Sequence, residues 1–564
     1  MLSTKHLSGD IFGGVTAAIV ALPLALAFGV QSGMGAIAGL YGAIAVGIFA
    51  ALFGGTSTQI SGPTGPMAVV ASAIIAGEVA YYGSLSAAIG TIVATFVLAG
   101  LFQILLGVLK IGQYIRYMPY PVVSGFMSGI GAIIIIMQIF PFFGLTSPKS
   151  IIDIMSALNT ILGNLNIEAV VLSITTIAII YLFPKISKKV PSALVALIGL
   201  TLVTSLLKLN VPIIGDIPQG FPEIHIDTLL ALDWHHPMLI VIPAITLAAL
   251  GAIDSLLTSV VADNMTKTQH KSNKELIGQG IGNTIAGLIG GLPGAGATMR
   301  TVVNINAGGK TNLSGVIHGL ILIIILFGAG EYARLIPLPV LAGILITVGL
   351  GIIDYKGIKH ITNVPRADAV IMLLVLTLTV FVDLLQAVGV GMVLASILFM
   401  KQMSDTSESK SFSKTLKDFH DAFPNNAEDK EVYEAINEQV YIHHFDGPIF
   451  FGFTSHFKSM MQELPDISVV IFKMNNVPNI DQSGMYAIED AILELEKKNI
   501  TVLMTNMQKQ PEDMLKNIKL IPNLVPKHHI FNDLQSAVDM LKEHQESFVS
   551  HEDKKMIHKI LWKN

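Results

Sequence analysis

Two short stretches of this chain could hold an anion largely through backbone groups. The first reads Ile60-Ser61-Gly62-Pro63-Thr64-Gly65-Pro66-Met67, the second Leu292-Pro293-Gly294-Ala295-Gly296-Ala297-Thr298-Met299-Arg300. In each, Gly and Pro interrupt any helix running in, and a short apolar segment follows. A helix that starts within a membrane points free N–H groups and its positive dipole end into the space before it. Non-helical backbone at that depth is tolerated only beside a cavity or inside protein. Thr64 and Thr298 stand at the two starts and can donate hydroxyl hydrogen bonds.

Ionisable residues inside apolar stretches are costly there and mark function. Asp254 follows Ala248-Ala249-Leu250-Gly251-Ala252-Ile253, and Thr258 lies four residues on, on the same helix face. A carboxylate, a hydroxyl and nearby carbonyls form a hard-oxygen set suited to Na⁺. Proton carriage and a structural pairing with Arg300 are the competing roles. Arg300 is the one basic residue inside an apolar stretch. It either enlarges the positive potential at the anion site or neutralises Asp254. Glu78 and Asp383 read as solvent-facing caps, and His318 as a hydrogen-bonded packing residue.

These residues need elements to hold them at membrane depth, and composition supplies them. The chain has 564 residues, 52% hydrophobic and 13% charged. Residues 1–401 hold 18 Lys+Arg and 15 Asp+Glu; residues 402–564 hold 17 and 25. A membrane domain (1–401) followed by an acidic soluble part fits that division. There are no cysteines, which excludes disulfides and thiolate chemistry. The acidic soluble part disfavours a nucleic-acid partner. The first apolar stretch lacks a small-residue cleavage site and is expected to remain as a span.

Apolar stretches predict fourteen spans, near 11–30, 34–53, 63–77, 85–107, 120–139, 167–184, 190–207, 237–258, 276–291, 297–306, 312–329, 336–353, 368–385 and 387–401. The third and tenth are too short to cross a hydrocarbon core of about 30 Å. With both termini cytoplasmic, inside loops carry fourteen Lys/Arg and outside loops only Lys149, Lys208 and Arg334. Met118-Pro119-Tyr120-Pro121-Val122-Val123-Ser124-Gly125 is echoed by Ile336-Pro337-Leu338-Pro339-Val340-Leu341-Ala342-Gly343, seven spans later. An odd offset makes the copies inverted. Gly54-Gly55 and Gly290-Gly291 precede the two short spans in the same way. A seven-plus-seven inverted repeat with broken helices is secondary-transporter architecture, with its site at mid-membrane.

Residues 402–437 are polar and read as a linker with an amphipathic helix. Residues 438–545 alternate strands (at Val440, Ile449, Val469 and Val502) with helices near 454–463, 483–498, 511–520 and 533–544, an α/β domain with a mostly parallel sheet. Asp481 or Ser483 would cap the second helix. Residues 546–564 form a tail.

These motifs together resemble the sulfate permease (SulP) family of anion transporters with a C-terminal STAS domain. The quoted matches are Gly9-Asp10-Ile11-Phe12-Gly13-Gly14, Ala21-Leu22-Pro23-Leu24-Ala25, Gly62-Pro63-Thr64-Gly65-Pro66-Met67, Gly294 to Arg300, and the Asp481-Gln482-Ser483-Gly484 loop. Within the family the chain most resembles its sodium-dependent bicarbonate carriers. The resemblance implies a UraA-like fold in which a core domain rocks against a gate domain. It implies substrate near Thr64, Gly65, Ala297, Thr298 and Arg300, and Na⁺ near Asp254, Thr258 and the backbone at Gly296. It also implies a dimer held by STAS domains and a regulatory role for Ser483. Many sulfate-type members have Pro-Gln-Ser where this chain has Pro23-Leu24-Ala25, which favours a smaller anion.

The expectation is therefore a Na⁺-coupled symporter of a small inorganic anion, bicarbonate favoured, in the inner (plasma) membrane, with no tightly bound cofactor. A proton-coupled dicarboxylate or sulfate carrier and a regulated anion channel stay open as alternatives. No residue set for catalysis is present.

Overall fold

The computed structural model describes residues 6–148, 150–187, 190–214, 222–230, 237–382, 384–416, 418, 439–462, 464–465 and 467–543. Lys149, Lys188, Lys189, Asp383 and the tail from 546 lie outside them. The chain divides into two compact units, Met1–Ala395 and Ser396–Asn564.

Helices occupy all fourteen apolar stretches. They are α1 (Leu7–Ser32), α2 (Ala36–Phe53), α3 (Gly65–Tyr82), α4 (Leu85–Val108), α5 (Tyr120–Met137), α6 (Ile167–Ile186) and α7 (Ser192–Leu207) in the first half. The second half holds α8 (Met238–Thr266), α9 (Ser272–Leu288), α10 (Thr298–Asn306), α11 (Asn312–Ala333), α12 (Leu338–Ile352), α13 (Arg366–Phe381) and α14 (Leu384–Lys410). Among the described residues, eight helices are long and apolar enough to cross a membrane by length and composition. The repeat motifs do equivalent work: Pro119 and Pro337 are the N-caps of α5 and α12, each followed by a proline in the first turn.

Helices α1–α4 pack with α8–α11, and α5–α7 with α12–α14. Without a hydrophobic drive between helices in lipid, close backbone approach through small residues does the packing. A Cβ at Gly280 on α9 would lie 2.5 Å from the Gly100 carbonyl oxygen on α4. One at Gly131 on α5 would lie 2.6 Å from the Gly349 carbonyl oxygen on α12. The Gly9-Asp10 motif has a similar explanation. Buried Asp10 accepts hydrogen bonds from the Lys310 and Thr311 amides at 2.8 and 2.9 Å, pinning α1 to the turn before α11.

The third segment corrects the expectation that it is too short to span. Helix α3 has 18 residues, about 27 Å at 1.5 Å per residue. It runs on through Gly77 and ends at Gly83, whose φ of +83° makes a left-handed cap. Only α10, with 9 residues, is half-length at about 14 Å.

The second unit contains a five-stranded sheet in the order β3-β4-β5-β6-β7, where β3 is Phe412–Thr415, β4 Val440–Asp446, β5 Val469–Asn476, β6 Thr501–Thr505 and β7 Ile530–Phe531. All neighbours are parallel except β3 and β4. Helices α15 (Thr454–Gln462), α16 (Gln482–Lys497), α17 (Lys509–Asn517) and α18 (Leu534–Glu543) match the expected ones. Strand periodicity divides the core. Phe445, Phe457 and Phe472 lie in one buried cluster, while Ile442, Ile471 and Leu541 lie in the other. Two readings are corrected. The stretch 402–437 is not all linker: it carries the end of α14 and the edge strand β3, while residue 417 and residues 419–437 lie outside the described ones. The apolar run at Ile449 is not a ladder strand. It makes one parallel bridge, Ile449 to Ile480, and then turns into α15.

Asp481 caps α16: its Oδ1 accepts the Gly484 amide at 2.7 Å and its Oδ2 the Phe451 amide at 3.2 Å. Ser483 lies exposed in the first turn, so capping falls to Asp481 and not to Ser483. Asp481→Ala should therefore cost the domain about 1 kcal/mol, whereas Ser483→Ala should stay within about 0.5 kcal/mol. Urea unfolding of the full chain, followed by a probe in this unit, distinguishes the two.

Candidate functional site

The two Gly/Pro stretches meet. Ser61–Gly62 forms β1 and Ala295–Gly296 forms β2, paired antiparallel with Ser61 opposite Gly296 and Gly62 opposite Ala295. The Ala297 amide donates to the Ile60 carbonyl at 2.8 Å. Two extended segments thus satisfy each other's backbone where helices would have, which is what allows them inside a membrane. The crossing is too tight for side chains. A Cβ on Gly294 would stand 2.3 Å from the Gly62 carbonyl group. Asn283 on α9 brackets Gly294, donating to its carbonyl at 2.9 Å and accepting its amide at 2.7 Å.

Helices α3 and α10 start directly beyond this crossing. Thr64 and Ala297 are their N-caps, and neither cap is satisfied by its own side chain. The first-turn amides of Gly65 and Met67, and of Thr298, Met299 and Arg300, have no carbonyl one turn earlier within their helices. They form the donor set expected for an anion. The space over Gly65 is narrow: a Cβ there would lie 2.8 Å from Ile134 Cδ1 and 2.9 Å from Ile352 Cδ1, on α5 and α12. The start of α3 therefore lies where one bundle of helices faces the other.

Helix α8 ties both starts together. Thr64 Oγ1 donates to Asp254 Oδ2 at 2.7 Å. One turn on, Thr258 Oγ1 donates to the Gly296 carbonyl at 2.9 Å and lies 2.7 Å from Thr298 Oγ1. The i, i+4 pair read from sequence thus reaches one inverted repeat with the carboxylate and the other with the hydroxyl. Asp254 and Thr258 are both buried. Ser255 supports the arrangement by accepting the Gly296 amide at 3.1 Å. For a hard cation this offers carboxylate, hydroxyl and carbonyl oxygens, with a single acidic residue. Among the described residues no group of three or more His, Asp or Glu could hold a metal.

Arg300 is buried, 1% exposed. Its Nη2 donates to the Pro63 carbonyl, and its Nε and Nη1 have no hydrogen-bond partner. No ion pair within 4.0 Å joins it to Asp254 among the described residues, but the two opposite charges still act on each other across the site, so both roles considered from sequence stay open. His318 departs from expectation too: it is buried, and neither ring nitrogen has a hydrogen-bond partner.

Sequence reasoning missed the residues that hold β1. Glu275 on α9 accepts the Gly55 and Thr56 amides, each at 2.8 Å, and the Gln59 and Gln279 side chains, each at 2.9 Å. Gln279 also donates to Ser61 Oγ at 2.6 Å. Ser259 on α8 donates to Gln59 Oε1 at 3.0 Å. A buried carboxylate with this many donors is a fixed brace. The signal was available: Glu275, Gln279 and Asn283 recur every four residues, a polar stripe along one face of the helix.

Comparison with known proteins identifies the family. The profile of the sulfate permease family matches residues 7–375, and that of the STAS domain residues 432–537. The bicarbonate transporter BicA of Synechocystis sp. is 43% identical over 538 residues, covering 95% of this chain and 94% of its own. BicA of Picosynechococcus sp. is 41% identical over 93% of this chain and 92% of its own. A putative sulfate transporter of Bacillus subtilis, YvdB, is 31% identical over 93% of this chain and 96% of its own. Among solved structures, the transmembrane domain of a cyanobacterial BicA superposes with TM-score 0.64 at 47% identity, covering 68% of this chain and 98% of that one. The murine Solute Carrier 26 family member A9 anion transporter, inward-facing, gives TM-score 0.81 over 96% of this chain and 92% of that one. At 18% identity this second likeness speaks to fold alone.

Proposed function

The chain belongs to the sulfate permease family, it is a membrane-embedded anion transporter and not an enzyme, and from that premise we propose that it carries bicarbonate into the cell together with Na⁺. The observation that carries this reading is the pair of bridges from α8, Asp254 to Thr64 and Thr258 to Thr298. Na⁺ binds among Asp254, Thr258 and the Gly296 carbonyl. Bicarbonate binds between the starts of α3 and α10, on the amides at Gly65 and Thr298, beside Ala297, with the Arg300 charge behind it. Filling the Na⁺ site cancels the carboxylate's repulsion of the anion, and in a water-poor site that repulsion is strong. It also draws Asp254 toward the ion and so frees the Thr64 hydroxyl to donate to bicarbonate. The narrow space over Gly65 and the apolar Leu24-Ala25 pair on α1 suit an anion smaller and less hydrogen-bonded than sulfate. The 43% identity to a bicarbonate transporter supports the same substrate.

Transport follows by movement of the α1–α4/α8–α11 bundle, which carries both sites, against the α5–α7/α12–α14 bundle. Both termini are cytoplasmic in the plasma membrane, on the strength of the positive-inside bias. The protein is a homodimer joined through the STAS domains. Ser483, exposed at the start of α16, is a regulatory position there, since a phosphate at a helix N-terminus is electrostatically favoured.

The test is uptake of labelled bicarbonate, sulfate and fumarate into proteoliposomes, with an inward Na⁺ gradient present or absent at fixed pH. Bicarbonate should accumulate above its equilibrium level only with the gradient, and sulfate and fumarate should not compete. Sulfate uptake indifferent to Na⁺ would favour the sulfate-permease alternative.

A further inference from the structure

Glu78 stands outside the transport site, and it is not the solvent-facing cap that its place near a helix end suggests. It is only 7% exposed, and its Oε2 has no hydrogen-bond partner. A buried carboxylate oxygen without a donor is costly, and it marks a missing partner. Glu78 lines a groove of about 540 Å³ between α3 and α8, together with Ile74, Tyr81, Leu239, Ile242 and Thr246. Most of this lining is apolar. Leu239 and Ile242 are 43% and 55% exposed, in a unit that lies in lipid.

Depth narrows the choice of occupant. Glu78 is thirteen residues beyond the start of α3, about 20 Å from mid-membrane at 1.5 Å per residue. That exceeds the half-thickness of the hydrocarbon, about 15 Å, and reaches the headgroup level. Tyr81 and Tyr82, stacked edge to face at 4.9 Å, mark the same level as an interfacial aromatic pair. A groove with an apolar floor and one donor-less carboxylate at headgroup depth fits a molecule with acyl chains and an N–H-bearing cation. Tyr81 could also receive that cation on its ring face.

We propose that the α3–α8 groove is a binding site for a phospholipid with a primary ammonium headgroup, its ammonium donating to Glu78 and its acyl chain lying along Ile242. This goes beyond the transport reading and does not depend on which anion is carried. The lipid would rest against both α3 and α8, the helices that carry Thr64 and Asp254, so its occupancy would bear on the stability of the bundle that moves.

The experiment uses the full-length protein, delipidated in detergent and then given phosphatidylethanolamine, phosphatidylcholine, phosphatidylglycerol or soluble phosphoethanolamine. Retained lipid is read by native mass spectrometry and stability by Tm. Phosphatidylethanolamine should stay bound to the parent and raise its Tm. Phosphatidylcholine has a cation with no N–H, phosphatidylglycerol has no cation and the soluble headgroup has no chains, so none of them should do the same. Glu78→Gln should retain about tenfold less phosphatidylethanolamine, the loss of one charge-assisted hydrogen bond. Ile242→Trp, which fills the groove and keeps the carboxylate, should show the same loss and decides the matter if Glu78→Gln does not fold. Equal retention of phosphatidylcholine, an equal Tm rise from phosphoethanolamine, or undiminished retention in Ile242→Trp would overturn the proposal.

Discussion

Asp254→Asn is expected to abolish sodium stimulation of anion uptake while leaving the protein folded and in the membrane. Asp254 is the only acidic residue in the bridge between the two helix starts, and its Oδ2 accepts from Thr64. The amide keeps the volume and can still accept that hydrogen bond, so packing in α8 survives. The charge that draws Na⁺ into a buried site does not. A contact to a charged group is worth about 1.5–3 kcal/mol, or roughly ten- to hundredfold in Na⁺ affinity, enough that no stimulation should remain over the Na⁺ range that saturates the parent. Residual uptake should be independent of sodium. A mutant whose Na⁺ dependence matches the parent's would remove Asp254 from the cation site.

The second large effect concerns the crossing itself. Gly294→Val should lose transport and cost about 3 kcal/mol or more of stability, with a lowered Tm in detergent. A Cβ there meets the Gly62 carbonyl group at 2.3 Å and the Pro63 nitrogen at 2.8 Å, and these are backbone atoms that cannot rotate away. To relieve the clash, β1 and β2 must part, and the starts of α3 and α10 part with them. Gly199→Ala is the matched control: nothing lies within 4 Å of its Cβ position on α7. It should be neutral or stabilising by up to about 1 kcal/mol, through helix propensity alone. Parent-like Tm and uptake in Gly294→Val would mean that the crossing is not structurally required.

Several helix starts were legible because the apolar stretches are long and open on Pro, as at Pro119 and Pro337. The opposed starts were legible because each half repeats the same break before its short segment. The partners of the site residues were not. Thr64 and Asp254 are 190 positions apart, and nothing local in α8 says which helix start the carboxylate will meet. The third span was cut short at residue 77 because Glu78 reads as a cap at its end, whereas the helix runs on to Tyr82. Glu78 read as exposed because position near a helix end says nothing about the neighbour, α8, that covers it. In the STAS domain, the strand after Val440 was evident from its alternation. The edge strand β3 was hidden in polar sequence, because an edge needs only one apolar face.

The central claim is that Na⁺ at Asp254 and Thr258 and the anion between α3 and α10 are linked through Thr64 and Thr298. Linkage between two binding sites must be reciprocal. The direct measurement is calorimetric titration of the detergent-solubilised protein with bicarbonate at zero and saturating Na⁺, and with Na⁺ at zero and saturating bicarbonate. Each ligand should tighten the other by the same factor in the parent, and by no factor in Asp254→Asn. Bicarbonate affinity that stays the same whether or not Na⁺ is present in the parent would contradict the account.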